Sequence, residues 1–220
     1  MCIRDRSLIV SKSNEGYDVI VYEIVANEDV LIRAGVKREI IEKNVLGRII
    51  TISAKRTSFW PNRPMDVGVI RDLAIHDIDV IYYLTKQNAQ YVYGVAGMLK
   101  HEYEDYAVIM IKYDDMTGII EANWVTPYKI RLLNVTGESA SVKLDYLTQE
   151  VVVMKEDGVY VPRIPYEEPL MREDRDFLLS IAEKRRPLAP GEEGVAALAV
   201  CEAALKSPEK GCIVEVEYPV

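Results

Sequence analysis

The sequence is poor in cysteine, in basic charge and in long apolar runs. Its three cysteines, Cys2, Cys201 and Cys212, are too few for a disulfide framework and lack the spacing of a zinc site. Acidic residues outnumber basic ones by 35 to 27, and the net charge of −8 argues against binding to nucleic acid or to an anionic membrane surface. No apolar run reaches the roughly 18 residues that cross a bilayer. We therefore expect a cytoplasmic protein without a nucleic-acid or membrane partner.

Common nucleotide-binding and nucleophile motifs are also missing. The sequence contains no Gly-x-Gly-x-x-Gly turn, no Walker-type loop and no Gly-x-Ser-x-Gly elbow. A phosphate-cradling loop and a serine nucleophile therefore have no support. The composition, 49% hydrophobic and 28% charged over 220 residues, is typical of a globular protein of one or two domains.

The first residues differ in character from the rest of the chain. Met1–Ser7 reads MCIRDRS, which is too short and too charged for a signal peptide. It resembles a translated adapter scar at the end of a gene fragment, and the alternative is a frayed natural terminus. We expect residues 1–35 to hold this start and the remnant of a preceding domain, and residues 36–220 to form the main domain.

The main domain is predicted to be rich in strands. A β-branched run predicts a strand at Arg48–Ala54, and helices are predicted at Pro169–Lys184 and Gly191–Lys206, followed by a last strand at Ile213–Tyr218. Short turns rich in Asp and Gly separate six further strands, at Tyr91–Leu99, Tyr106–Tyr113, Gly118–Val125, Lys129–Val135, Ser141–Tyr146 and Glu150–Met154. The predicted fold is α+β, an open, mostly antiparallel sheet with helices on one face.

The clearest helix is predicted over Asp66–Leu84, with Asp66 as its cap. Asp72 and His76 lie four residues apart and share one helix face, and Asp79 follows on the same side. We expect this polar face to open on a cleft. A carboxylate beside an imidazole suits proton transfer, because it orients the ring and stabilises the imidazolium. The alternative is a hydrogen-bonded structural histidine.

Two further groups are candidates for ligand contact. Trp124 offers a stacking surface and Lys129 a cation for an anionic or sugar-containing ligand, unless Trp124 lies in the core and Lys129 is solvated. Arg56, with the aromatic loop that follows it, forms a third possible lining. No metal site is expected, because Asp77 points away from His76 and no second histidine joins them.

Together these segments resemble the C-terminal domain of the Gfo/Idh/MocA family of sugar oxidoreductases. The resemblance runs from about Val36 to the end of the chain, and the overall pattern is closest to members that act on nucleotide-linked amino sugars. It is carried by the helix with Gly68, Asp72 and His76, and by Gly118–Pro127, Val135–Glu138, Glu168–Leu170, Asp176–Leu178, Gly191–Gly194 and Glu202–Ser207.

This resemblance implies a Rossmann domain for NAD or NADP ahead of a substrate-binding and oligomerisation domain. It implies hydride transfer between a sugar hydroxyl carbon and NAD(P), with His76 as the acid/base and Asp72 as its partner or as a substrate ligand. The sheet face is the expected contact of a homo-oligomer. The candidate contacts of a sugar or nucleotide-sugar substrate are Trp124, Lys129, Arg56 and Asp79.

The sequence departs from the family pattern at its start. The Gly-rich nucleotide loop and the Glu-Lys-Pro motif are absent, so residues 1–35 are interpreted as a remnant of the Rossmann domain. We therefore expect an incomplete cofactor site and no turnover by this chain alone. The alternatives are a non-catalytic, sheet-mediated binding or dimerisation module, and a metal-dependent sugar hydrolase or isomerase that uses Asp72 and His76.

Overall fold

The structure, a computed structural model, describes residues 45–63, 65–163, 166 and 168–219. The predicted domain remnant at residues 1–35 lies outside the described residues. Nine strands form one sheet: β1 Ile49–Thr57, β2 Tyr91–Gly97, β3 Tyr106–Lys112, β4 Thr117–Asn123, β5 Ile130–Gly137, β6 Ala140–Asp145, β7 Glu150–Lys155, β8 Gly158–Tyr160 and β9 Val214–Glu215.

The sheet is open and mostly antiparallel, as predicted. Its strand order is β8-β7-β6-β5-β1-β4-β3-β2-β9. Among the described strands, β1 and β4 alone pair in parallel, with Thr51 opposite Thr117, while every other neighbouring pair is antiparallel. Strand β1 therefore lies in the middle of the sheet and joins the β2–β4 meander to the β5–β8 meander.

In the described part of the chain, three helices accompany the sheet. A π-helical turn, Ile70–Ala74, leads directly into α1, Ile75–Thr85, and the later helices are α2, Pro169–Glu183, and α3, Gly191–Lys210. Helices α1 and α3 contact the same face of the sheet, where Ile81 of α1 lies beside Gly118 and Ala204 of α3 lies beside Gly94. Within the described residues, no helix is both long and apolar enough to cross a membrane.

The other face of the sheet is open across strands β2, β3 and β4. Burial alternates strictly along β3, where Ala107, Ile109 and Ile111 are buried between exposed neighbours. This period of two is the one that a half-buried strand requires. We call the exposed apolar surface the open face, and its large side chains are Tyr91, Tyr93, Val95, Tyr106, Val108, Met110 and Ile119.

The first helix begins later than predicted. Its cap position is Val69, and the Asp66 side chain does not cap it. Instead, the backbone N–H of Ile70 donates to Oε1 of Glu104 at 3.1 Å, and the N–H of Val69 donates to the Glu104 carbonyl at 2.9 Å. A residue more than thirty positions downstream therefore satisfies the helix start, which local sequence could not reveal.

Helix α3 continues past its predicted end at Lys206 and includes Pro208. A proline has no N–H for the carbonyl of Ala204, four residues before it. Strand β2 can approach the helix at this point because Gly94 has no side chain. The backbone N–H of Gly94 donates to Oγ of Ser207 at 2.9 Å. A Cβ on Gly94 would lie 2.8 Å from the Ala204 carbonyl oxygen. Close strand packing thus accompanies the proline-containing turn.

Candidate functional site

Several of the candidate residues lie near the sheet edge at which β1 and β4 end. Thr57, the last residue of β1, lies opposite Asn123, the last residue of β4, and opposite Ile130, the first residue of β5. The chain leaves β1 here, and the N–H of Ser58 donates to the Asn123 carbonyl at 3.0 Å. We call this edge the β1–β4 edge.

Asp72 and His76 lie on the helical segment that starts from this edge. Asp72 belongs to the π-helical turn and His76 to the first turn of α1. A π turn alters the helical register, and such turns recur at functional sites. Each residue keeps 8% of its surface exposed, and Arg63 from the loop after β1 forms an ion pair with the Asp72 carboxylate. Within the described residues this polar face is therefore mostly covered, and its opening on a cleft stays a prediction.

Arg56 is paired beneath the surface with Asp77. Its Nε and Nη2 donate to Oδ2 and Oδ1 of Asp77 at 3.0 and 2.9 Å. Arg56 as a whole is 2% exposed, and its guanidinium also lies 5.6 Å from the centre of the Tyr146 ring. This placement corrects the predicted substrate contact, because the guanidinium is held by a structural partner.

The sequence contained a signal for this pair that we did not use. Ile52, Ala54 and Arg56 alternate along β1 and all point to the buried face. An arginine on the buried face of a strand requires a buried acidic partner. Asp77, which we predicted to point away from the site, is that partner.

Asp79 faces helix α3 rather than the β1–β4 edge. It is 0% exposed, and within the described residues neither carboxylate oxygen has a hydrogen-bond partner. Burial, together with the negative charge of Glu193 and against the opposing charge of Lys86, raises the pKa of Asp79 to about 7. The predicted substrate contact is therefore corrected: Asp79 belongs to the contact between α1 and α3.

Trp124 and Lys129 flank the loop between β4 and β5. Trp124 is 1% exposed, and its backbone N–H donates to the Asp105 carbonyl at 2.9 Å. The alternative of a core tryptophan therefore fits better than a stacking surface open to solvent. Lys129 is exposed and directly precedes β5, so the residue lies at the β1–β4 edge.

A second histidine also reaches this region. His101 lies between β2 and β3, and its Nδ1 is 2.5 Å from Oδ1 of Asp105. The other oxygen of Asp105 accepts the N–H groups of Leu99, Lys100 and His101 at 2.7, 2.7 and 3.2 Å. Burial by itself raises the pKa of Asp105, but the hydrogen bonds from these N–H groups and from the ring outweigh it and lower the pKa to about 2. The sequence offered one signal for this pair, the spacing of four residues between His101 and Asp105.

A separate groove lies on the far side of helix α3. Its volume is about 360 Å³, and the last residues of the chain form its second wall. None of the candidate residues lines it. The groove is bordered by Val195, Leu198, Ala199, Glu202, Lys206 and Glu215, among others.

Comparison with protein families identifies the part of the chain that carries these residues. Residues 37–143 match the family model described as the GFO/IDH/MocA C-terminal domain. The matched stretch makes up just under half of the chain. It contains every candidate residue predicted from the sequence and the His101–Asp105 pair, so the family resemblance is confirmed where the chemistry is expected.

A curated protein that is similar to this chain is named as a dehydrogenase. The myo-inositol 2-dehydrogenase of Thermotoga maritima is 22% identical over 199 residues, which are 82% of this chain and 60% of that protein. The chain therefore spans about 60% of the length of the curated relative it matches.

Solved structures share the fold of this chain. The UDP-N-acetylglucosamine 3-dehydrogenase of Acidithiobacillus ferrooxidans superposes with a TM-score of 0.74 at 20% identity, covering 84% of this chain and 60% of its own. A levoglucosan dehydrogenase in complex with NADH and levoglucosan superposes with a TM-score of 0.76 at 21% identity, covering 91% and 65%. At these identities the likeness establishes the fold.

Proposed function

We propose that this chain provides the substrate-binding domain of an NAD(P)-dependent oxidoreductase that acts on a sugar or a related polyol. The family match supports this function, as do relatives named as dehydrogenases of myo-inositol, UDP-N-acetylglucosamine and levoglucosan. The observation that carries the proposal is the Asp72–His76 segment, which passes through a π turn beside the β1–β4 edge and is held there by two arginines.

In the proposed reaction, His76 takes the proton from the reacting hydroxyl. A neutral imidazole is a suitable proton acceptor near neutral pH, and a nearby carboxylate stabilises the imidazolium that forms. Arg63 fixes the Asp72 carboxylate by an ion pair. The Arg56–Asp77 pair fixes the turn that immediately follows His76. The chain thus supplies an oriented base and its charged surroundings.

NAD or NADP is the cofactor of the proposed activity, and the NADH complex of the levoglucosan dehydrogenase supports it. The start of the helical segment that carries Asp72 and His76 does not fit the dinucleotide's pyrophosphate, which commonly binds at a glycine-rich helix start. This start is occupied, because Glu104 accepts the N–H of Ile70 and a Cβ on Gly68 would lie 2.0 Å from the Glu104 carboxyl carbon. A second anion would be repelled there, so this segment is assigned the substrate alone.

Direct binding tests this proposal. The purified chain is titrated calorimetrically with myo-inositol, levoglucosan and UDP-N-acetylglucosamine, and we expect at least one to bind. His76→Ala should weaken that binding about tenfold, the effect of one lost hydrogen bond. Asp157→Asn, on the exposed turn before β8, is the control and should bind normally. A folded protein that binds none of the three contradicts the proposal.

The finer proposal is that the sugar is nucleotide-linked. The fold shared with a UDP-N-acetylglucosamine 3-dehydrogenase supports it, and exposed Lys129 offers a cation for a diphosphate at the β1–β4 edge. UDP-N-acetylglucosamine should then bind more tightly than N-acetylglucosamine, and Lys129→Gln should remove most of the difference. Equal affinities in the unaltered chain exclude this substrate class.

We also propose a cytoplasmic location for the protein. Cys201 and Cys212 are both free thiols, which a reducing compartment maintains. Labelling of the endogenous protein in fractionated cells tests this, and recovery outside the cytoplasm contradicts it.

A second role, assembly with another copy of the chain, is favoured by the open face. Large apolar side chains on neighbouring strands form a continuous patch, and such patches mark protein contacts. We propose that this face joins subunits, in an active enzyme or in a purely structural module. Sedimentation should show a dimer or larger, and Val108→Lys with Met110→Lys should give a monomer. A wild-type chain that stays monomeric at high concentration excludes this contact.

A further inference from the structure

The two tryptophans of the chain and one of its two histidines form a cluster near the β1–β4 edge. The centre of the His101 ring lies 5.4 Å from that of Trp60 and 5.9 Å from that of Trp124. The ammonium group of Lys100 lies 5.0 Å from the centre of the Trp60 ring. The proposed role of His76 uses none of these side chains.

A buried carboxylate sets the orientation of the His101 ring. Asp105 is 0% exposed and accepts three backbone N–H groups as well as the ring contact at 2.5 Å. Its pKa of about 2 keeps it negative at neutral pH. An ionised carboxylate can only accept hydrogen bonds, so Nδ1 of the neutral ring carries the hydrogen and Nε2 keeps its lone pair.

The second ring nitrogen remains available to a ligand. The His101 side chain is 22% exposed, and Nε2 forms no hydrogen bond with any residue in the described part of the chain. Anchoring the loop requires Nδ1 alone. His101 thus combines a fixed tautomer with an accessible acceptor atom, Nε2, beside the half-buried ring of Trp60. This combination suits a ligand that donates a hydrogen bond from an uncharged hydroxyl group.

We propose that His101 Nε2 is a second ligand-binding group of this domain and accepts a hydrogen bond from a polyhydroxylated ring whose apolar face packs on Trp60. The class of ligand rests on the proposed function, whereas the position of the site rests on the geometry of the cluster. Asp105 is the positioning residue, since it acts on the ligand only through His101.

Nitrogen NMR on the full chain tests this proposal. The two histidines give two ring spin systems, and His101→Gln assigns them. The neutral form of the His101 ring should be the tautomer protonated on Nδ1. The chain is titrated with myo-inositol and with UDP-N-acetylglucosamine. Whichever ligand binds should change both the chemical shift of His101 Nε2 and the tryptophan emission, and the two changes should have the same midpoint. His101→Gln should weaken binding about tenfold.

The outcomes separate this proposal from the proposed function. Binding that shifts the His76 signals and leaves Nε2 of His101 unchanged overturns the proposal and leaves the proposed function standing. A response of Nε2 to inorganic phosphate but to neither sugar ligand also overturns it, because the site would then be an anion site. A chain that responds to no probe overturns both. If His101→Gln fails to fold, the Nε2 shift of the unaltered chain decides.

Discussion

Arg56 and Asp77 form a bidentate ion pair that joins strand β1 to helix α1 beneath the surface. The two donor–acceptor distances are 3.0 and 2.9 Å, and the side chains are 3% and 1% exposed. Because Asp77 directly follows His76, the pair fixes the helical turn that presents the imidazole. A planar guanidinium holds that turn in one orientation, which a single contact could not do.

Removing the arginine should destabilise the fold strongly. Arg56→Met leaves the Asp77 carboxylate buried without its ion-pair partner, and we expect a loss of about 3–5 kcal/mol in the free energy of unfolding in urea. Arg48→Met is the matched control, because the Arg48–Glu138 pair is 61% and 49% exposed. Exposed pairs contribute about 1 kcal/mol or less. Equal losses in the two variants would show that burial does not matter here.

Asp79 should make stability depend on pH. Its folded pKa of about 7 exceeds the ordinary 3.8, so the folded state binds the proton more tightly than the unfolded state. Stability is therefore highest at low pH and falls as pH rises from about 4 to 7, by up to about 4 kcal/mol. Asp79→Asn should flatten this slope and be more stable than the parent at pH 8.

Urea unfolding at several pH values measures that slope. The control is Asp157→Asn, whose exposed side chain lies in a turn and should leave the slope unchanged. An Asp79→Asn variant that retains the full slope would mean that another group causes it.

Asp105 should make stability depend on pH in the opposite direction. Its folded pKa of about 2 lies below the ordinary 3.8, so its contribution to the free energy of unfolding is complete above about pH 4 and is lost as pH falls toward 2. The contribution is about 2 kcal/mol. Asp105→Asn should lose about this amount at pH 7 and show a flatter acid limb, followed by tryptophan emission during unfolding. An equally steep acid limb in the variant argues against this assignment.

Gly68 and Glu104 should be coupled energetically. A Cβ at Gly68 would lie 2.0 Å from the Glu104 carboxyl carbon and would displace the acceptor of the Ile70 N–H. Gly68→Ala should therefore cost about 1–2 kcal/mol, the value of a helix cap. In a Glu104→Ala background the same change should cost much less. A double-mutant cycle measures the coupling, and additive effects would disprove it.

Local patterning predicted most of the sheet. The alternation over β3 predicted Tyr106–Tyr113, and the strand found is Tyr106–Lys112. For β7 the prediction of Glu150–Met154 falls one residue short of the observed Glu150–Lys155. Period-two burial and the turn residues between strands are local properties, so a single sequence contains them.

The parts that escaped prediction depend on distant residues. The parallel pairing of Thr51 with Thr117 leaves no local mark. The contact of the Glu104 carboxylate with the helix start also leaves no mark in the local sequence. The same holds for the contact between His101 and the two tryptophans. Asp72 and His76 were identified by spacing, but their coverage by Arg63 depends on how the loop after β1 folds back.

The central place of β1 has a consequence for how the protein is made. This strand emerges from the ribosome before all the other described strands, yet both of its neighbours, β4 and β5, lie more than sixty residues later in the chain. Each meander can assemble from adjacent hairpins while β1 has no partner. Closure of the long intervening loop then becomes the slow step of folding. Translation must therefore reach β5 before the two halves of the sheet can be joined.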